Sequence, residues 1–290
     1  MPEPILSEGL VETERLRLYV LHARPAEPQG QVLLLGGSNF DLRLKRQFLT
    51  TALARDFEVL TYEPRGIGRS DRPAGKWEME AYAADALALL DALGWQEADV
   101  FGESFGGMTA LHVARAAPER VGRLALASTT AGGAGGSSFD IGAFLALPRE
   151  EAAAASLALQ DRAIAQLAIS DPSAYARKLQ ERIAFETAFA DPSVVSGGYA
   201  KLLRARAAHD VWAALPGILH PTLVLIGARD GQAPPEAQHA MAARLPNAEA
   251  LEFDAGHGVA FSEPDATEAL SARWQRAKSQ RPTTEERKHG

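Results

Sequence analysis

Cysteine is absent from all 290 residues. The chain therefore forms no disulfide, offers no thiolate to a metal and has no cysteine nucleophile, while the redox state of its compartment stays open. Positive charge is not in excess either. Lys and Arg number 30 against 37 Asp and Glu, a formal charge of −7, and the basic residues are scattered, so no footprint for nucleic acid or an anionic membrane exists. No apolar run approaches the roughly 18 residues of a spanning helix. The opening stretch MPEPILSEGLVETERLRL is acidic and lacks the basic start and apolar centre of an export signal. A zinc-protease H-E-x-x-H, a P-loop and a helix-opening G-x-G-x-x-G are all missing, and RGIGRS at 65–70 has the wrong spacing. These absences predict a cytoplasmic protein with no cofactor and no metal, partnered by a small-molecule substrate rather than nucleic acid or membrane. The oligomeric state is not legible.

What is present is a large apolar complement, 46% of residues, enough for one sizeable core and an insertion. RLRLYVLHAR (15–24) alternates Leu16, Leu18, Val20 and His22 on one face and reads as an edge strand. Short buried-type runs follow at QVLLLGG (31–37), FEVLTYE (57–63) and ADVFGES (98–104), separated by helical stretches at 41–54 and 80–93. The pattern resumes with a helix over 105–117, the strands GRLALAS (122–128) and PTLVLIGARD (221–230), a helix over 235–244, the strand AEALEFD (248–254) and a closing helix over 260–275. Alternating strands and helices predict an α/β fold, its mostly parallel sheet covered by helices on both faces.

Between Ser128 and Pro221 the alternation stops. TTAGGAGGSSFD reads as a flexible hinge, and the Ala-rich sequence beyond it is punctuated by SDPS (170–173) and ADPS (190–193), steps that close one helix and open another. An inserted helical cap is expected. The predicted division is a core over 1–130, a cap over 131–216, the rest of the core over 217–275 and a disordered, polar tail over 276–290.

GESFGG (102–107) sets one serine among three glycines where a strand turns into a helix. G-x-S-x-G in that context is the pattern of a nucleophile elbow, with the serine hydroxyl raised above the sheet at a helix N-terminus. A serine that only caps the helix is the competing reading. A serine nucleophile needs a base, and the base needs an orienting acid. Among seven histidines, His257 lies in a loop between glycines, after a strand and before the last helix, whereas His22, His112, His209, His220, His239 and His289 have ordinary structural or surface settings. Asp230 ends an apolar strand after a Gly turn, ahead of its rivals Asp210 and Asp254. The order Ser104, Asp230, His257 is one known for this triad on an α/β sheet. Backbone N–H groups for a developing oxyanion are expected from Phe105, directly after the serine, and from Ser38 in the loop after Gly36 and Gly37, with Asn39 as an alternative.

On GESFGGM, GARDG and AGHGVAFSEP, with YEPRGIGRSDRP (62–73) in support, the chain resembles an α/β-hydrolase fold enzyme with a helical cap over about residues 14–275. The resemblance implies that Ser104 is the nucleophile, Asp230 the acid and His257 the base of two-step acyl transfer, and that Arg65, Gly66 and Gly68 shape a structural turn. Relatives often carry His-Gly where this chain has Gly36-Gly37. A serine in the elbow, rather than an aspartate, argues against dehalogenation and epoxide opening. The expected activity is hydrolysis of a small ester or lactone. Carbon–carbon cleavage of a β-diketone-like substrate, a perhydrolase or haloperoxidase activity, and a non-enzymatic ligand receptor are the alternatives. Asn39, Phe40, Phe144 and Trp212 are expected to wall the substrate pocket. Arg177, Arg182, Arg204 and Arg206 either face a carboxylate-bearing substrate or form solvated helix faces.

Overall fold

The computed structural model describes residues 3–279. Eight strands form one sheet: β1 (Ile5–Glu12), β2 (Arg17–Arg24), β3 (Gln31–Leu35), β4 (Glu58–Tyr62), β5 (Ala98–Glu103), β6 (Val121–Ala127), β7 (Thr222–Gly227) and β8 (Ala248–Phe253). Their spatial order is β1-β2-β4-β3-β5-β6-β7-β8. The pairs β1/β2 and β2/β4 are antiparallel and all others parallel. Every residue of β4 and β7 is buried, which is why those strands read as unbroken runs rather than as alternation.

The helices are α1 (Ala52–Asp56), α2 (Met79–Ala92), α3 (Phe105–Ala116), α4 (Arg149–Gln160), α5 (Arg162–Ser170), α6 (Pro172–Phe189), α7 (Gly198–Ala207), α8 (Pro235–Arg244), α9 (Val259–Ser262) and α10 (Pro264–Ser279). Side chains alternate across a strand, and β3 shows the outcome. Leu33 and Leu35 join residues of α2, α3 and α8 in one core, while Val32 and Leu34 join α1 and α10 on the opposite face. The fold is thus a mostly parallel sheet with helices on both faces.

Four expectations need correction. β1 pairs along the whole of β2, so β2 is internal and β1 is the edge. Most of β1 is exposed, with Ile5 at 75%, and no buried face left a periodic signal. The stretch 41–54 is not one helix: a loop leads to a 3-10 turn, Gln47–Thr50, and then to α1. Its start is captured by the buried Glu63 carboxylate, which accepts from Leu42 N at 3.0 Å. The closing helix is broken at Glu263, because Pro264 lacks the N–H that would continue α9. Finally, α10 runs to Ser279, so 276–279 of the expected tail are helical and the remainder lies outside the described residues.

The insertion between β6 and β7 is helical and carries α4 to α7. Asp171 caps α6 through Ala174 N, with Pro172 in the first turn, as the first Asp-Pro-Ser step suggests. The second such step falls in a π-helical turn, Ala190–Val194, continuing from α6. Its glycine-rich entry, read as a flexible hinge, is tied to the exit: Gly132 bridges to Asp210, and Val211 N donates to Ala131 O at 2.9 Å. A third core, with Trp77, Tyr82, Phe105 and Met108 from the sheet side and Phe189 and Leu202 from the insertion, fixes the insertion to the body. Among the described residues no helix is long and apolar enough to cross a membrane.

Candidate active site

Ser104 occupies the sharp turn between β5 and α3 with φ 55° and ψ −117°, one of two non-glycine residues with positive φ among the described residues. Such a backbone costs of order 1–3 kcal/mol and persists only when its surroundings hold it. Here they do: Ser104 N donates to Ala127 O at 2.8 Å, and Thr129 Oγ1 donates to Ser104 O at 2.8 Å. The flanking glycines answer to sterics. A Cβ on Gly106 would collide with the Leu35 carbonyl, and one on Gly102 would press on the Gly106–Gly107 backbone.

Asp230 follows β7 and is fully buried. Its Oδ1 accepts from Gln232 N at 2.9 Å and Ala233 N at 2.8 Å, which fixes the carboxylate plane. His257 Nδ1 lies 2.9 Å from Asp230 Oδ2 and 3.1 Å from Oδ1, and its Nε2 lies 3.0 Å from Ser104 Oγ. A carboxylate only accepts, so Nδ1 carries the proton and the Nε2 lone pair faces the serine. The three residues singled out in the sequence therefore meet in one hydrogen-bonded line. The rival acids lie elsewhere: Asp254 is exposed and paired with Arg229, and Asp210 accepts from Trp212 N.

The loops carrying this line are held from three sides. The helical insertion reaches down with the end of α4, where Gln160 O accepts from His257 N at 2.5 Å and Leu159 O accepts from Gly231 N at 3.0 Å. Gly256 has no side chain because a Cβ there would strike Gln160 O. From the sheet, Ser128 at the end of β6 accepts from Gly258 N on its Oγ at 2.9 Å, itself at φ 50°. Gln232 supplies a further contact, its amide Nε2 2.9 Å from His257 Nε2. Neither Ser128 nor Gln232 was singled out from the sequence. Gln232 stands two residues past Asp230 and is turned back toward the site by the Asp230 carboxylate, a spacing visible in the sequence once Asp230 is suspected.

For the oxyanion donors, the Phe105 N–H opens α3, and neither it nor the Ser38 N–H has an acceptor among the described residues. Gly37 brings its loop against Ser104: a Cβ there would sit 3.7 Å from Ser104 Cβ. Ser38 is buried, and its Oγ also lacks a partner. The Phe105 ring turns the other way, edge-on to Tyr82 at 4.8 Å, so only its backbone faces the serine.

A cleft of about 390 Å³ opens over Ser104 and His257, within the range of small-molecule sites. Asn39 and Phe144 line it. Phe40 and Trp212 do not: Phe40 is buried under Gly36 in the core, and Trp212 packs on Gly135 beneath the Arg244 guanidinium. Of the four arginines, only Arg182 reaches the cleft. Arg206 is buried behind it and donates to Phe139 O at 2.7 Å. Lys45, Glu103, Arg149 and Glu186 also line the cleft, and burial pushes the Glu103 carboxyl above its usual range.

Elsewhere, His112 and His209 form a buried pair 3.2 Å apart, and burial lowers both to about 4, so they are neutral and structural. Arg65 is likewise structural: it pairs with buried Asp85, while Gly66 and Gly68 take positive φ in the same turn.

A family model described as "alpha/beta hydrolase fold" matches residues 18–264. The chain is 29% identical over 258 residues to the "Putative carbamate hydrolase RutD" of Caulobacter segnis, covering 85% of this chain and 91% of the relative. Over a shorter stretch of 69 residues, 23% of this chain and 25% of the relative, it is 46% identical to the 2-hydroxymuconate semialdehyde hydrolase of Pseudomonas putida. The crystal structure of the enol-lactonase from Burkholderia xenovorans LB400 superposes with a TM-score of 0.74 at 23% identity, covering 92% of this chain and 100% of that one.

Proposed function

Since the chain belongs to the α/β-hydrolase fold family and is an enzyme of that class, we propose that it is a cofactor-free serine hydrolase that cleaves a small ester or lactone through an acyl-enzyme. The observation that carries this reading is the line Ser104 Oγ, His257 Nε2, His257 Nδ1, Asp230 Oδ2, with steps of 3.0 and 2.9 Å, at the floor of a cleft.

Substrate enters beneath the cap, residues 131–216, and its carbonyl carbon meets Ser104 Oγ. His257 Nε2 takes the serine proton as the bond forms, and buried Asp230 stabilises the resulting imidazolium. The carbonyl oxygen, now anionic, receives the N–H groups of Ser38 and Phe105; losing one such donor costs about 3–4 kcal/mol. His257 then protonates the leaving alcohol, which in a lactone stays attached to the acyl group. Water, deprotonated by the same imidazole, attacks the acyl-enzyme and frees Ser104.

The test is a series of short to medium nitrophenyl esters alongside γ- and δ-lactones, comparing wild type with Ser104→Ala and His257→Ala. The account expects both variants to lose about 10³-fold or more in kcat. Absence of turnover of every ester and lactone by wild type sinks the reading. Carbamates and β-diketones belong in the same panel. The near full-length similarity to a protein named as a carbamate hydrolase favours a carbamate as the second reading, since the same acyl transfer serves it.

A further inference from the structure

Three cationic and two acidic side chains line the cleft above Ser104: Lys45, Arg149 and Arg182 against Glu103 and Glu186. Arg182 and Glu186, one turn apart on α6, satisfy each other, with Nε 2.8 Å and Nη2 2.5 Å from Glu186 Oε1. Arg149 is exposed at the rim and donates to Thr187 Oγ1 at 3.1 Å. Lys45 differs from both. It lies in the cleft wall, where burial pulls its ammonium below the usual lysine range against the opposing pull of Glu103, and it makes no salt bridge and no side-chain hydrogen bond among the described residues. What its Nζ meets is the face of Phe185, 5.1 Å from the ring centre. Glu103, the residue before the serine, makes no side-chain hydrogen bond or salt bridge among the described residues, but its charge couples to Lys45 and His257.

An ammonium taken partly out of water without an acceptor is unfavourable, and the ring face offsets only part of that. An alkyl acyl chain laid beside Lys45 would desolvate it further. A carboxylate would give it a charge-assisted hydrogen bond instead. Resting on the acyl-transfer reading above, we infer that the acyl half of the substrate carries a second, free carboxylate, which Lys45 Nζ holds while Ser104 attacks the ester at the other end. The substrate class is a monoester of a dicarboxylic acid, or a lactone bearing a side-chain carboxylate. Glu103 does not oppose this. Burial raises its carboxyl above the usual range, and a carboxylate beside Lys45 would restore the ammonium that burial disfavours.

The experiment compares mono-4-nitrophenyl esters of adipate, pimelate and suberate with the neutral 4-nitrophenyl esters of equal chain length, using wild type, Lys45→Met and Lys45→Arg. The readout is the ratio of kcat/KM, anionic over neutral, which is insensitive to the folded fraction of a variant. Wild type is expected to favour at least one anionic ester. Lys45→Met is expected to lower that ratio about 10- to 100-fold, and Lys45→Arg to keep most of it. A ratio below one throughout the wild-type series, or unchanged in Lys45→Met, overturns the inference. If wild type hydrolyses neither kind of ester, the esterase reading has failed by itself, and calorimetry with free suberate decides the subsite. Binding to wild type that weakens about tenfold or more in Lys45→Met upholds it, and no binding to wild type overturns it.

Discussion

Replacing Asp230 with asparagine tests the base in a way that separates orientation from folding. In the protein Oδ1 of Asp230 accepts two backbone N–H groups, from Gln232 and Ala233. An asparagine carbonyl is held in that place for the same reason, so its NH₂ must take the position of Oδ2, 2.9 Å from His257 Nδ1. Two donors then face each other, and the imidazole relieves the conflict by moving its proton to Nε2. The nitrogen that faces Ser104 Oγ at 3.0 Å would then carry a proton and accept none. The expected loss is roughly 10⁴ in kcat, equivalent to about 5.5 kcal/mol of transition-state stabilisation. Shape and the two backbone hydrogen bonds survive, so the variant is expected to fold. The assay is kcat on the best nitrophenyl ester, with a circular dichroism melt on the same preparation. A loss smaller than about 10-fold, or a larger loss that merely follows a collapsed melt, would refute the reasoning.

Ser128→Ala leaves the Gly258 N–H without its acceptor next to His257 and is expected to cost roughly 1–3 kcal/mol in urea unfolding; a change below about 0.5 kcal/mol contradicts that role. Gly106→Ala drives a methyl into the Leu35 carbonyl and is expected to destabilise by about 3 kcal/mol or more, so a variant with an unshifted melt would count against the elbow packing. His112 and His209 titrate near 4 in the folded chain because burial disfavours their charge. Their ordinary value is 6.5, so between about 6.5 and 4 the unfolded chain binds more protons. The pair's contribution, roughly 3 kcal/mol per histidine, is complete above that window and is lost as pH falls through it. His209→Gln should flatten the fall in urea stability between pH 6.5 and 4; an unchanged slope would show that the pair does not set it.

How far the sequence could be read follows from what each residue's role depends on. β7 announces itself because a strand buried on both faces is nearly all apolar, and β4 does so through Val59, Leu60 and Tyr62 although it also buries Glu58 and Thr61, whereas exposed β1 carries Ser7, Glu8 and Gly9 and looks like loop. Ser104, Asp230 and His257 stand out because each needs a local device: an elbow of glycines, a strand end, a loop between glycines. The fold brings them within hydrogen-bonding distance. Lys45 carries no such device, and only tertiary packing puts it at the cleft, whereas Gln232 can be found only through Asp230, two residues before it. Phe40 and Trp212 mislead for the converse reason, since an aromatic in a loop near the site serves equally well as core, and both do.

The central claim is that Ser104 is acylated during turnover. Rapid quenching of the enzyme with its best ester, followed by peptide mass spectrometry, tests it most directly. The account predicts an acyl adduct on the peptide containing Ser104, formed in the burst phase and absent in Ser104→Ala. Steady turnover with no adduct in either the pre-steady or steady state, or an adduct on another residue, would contradict it.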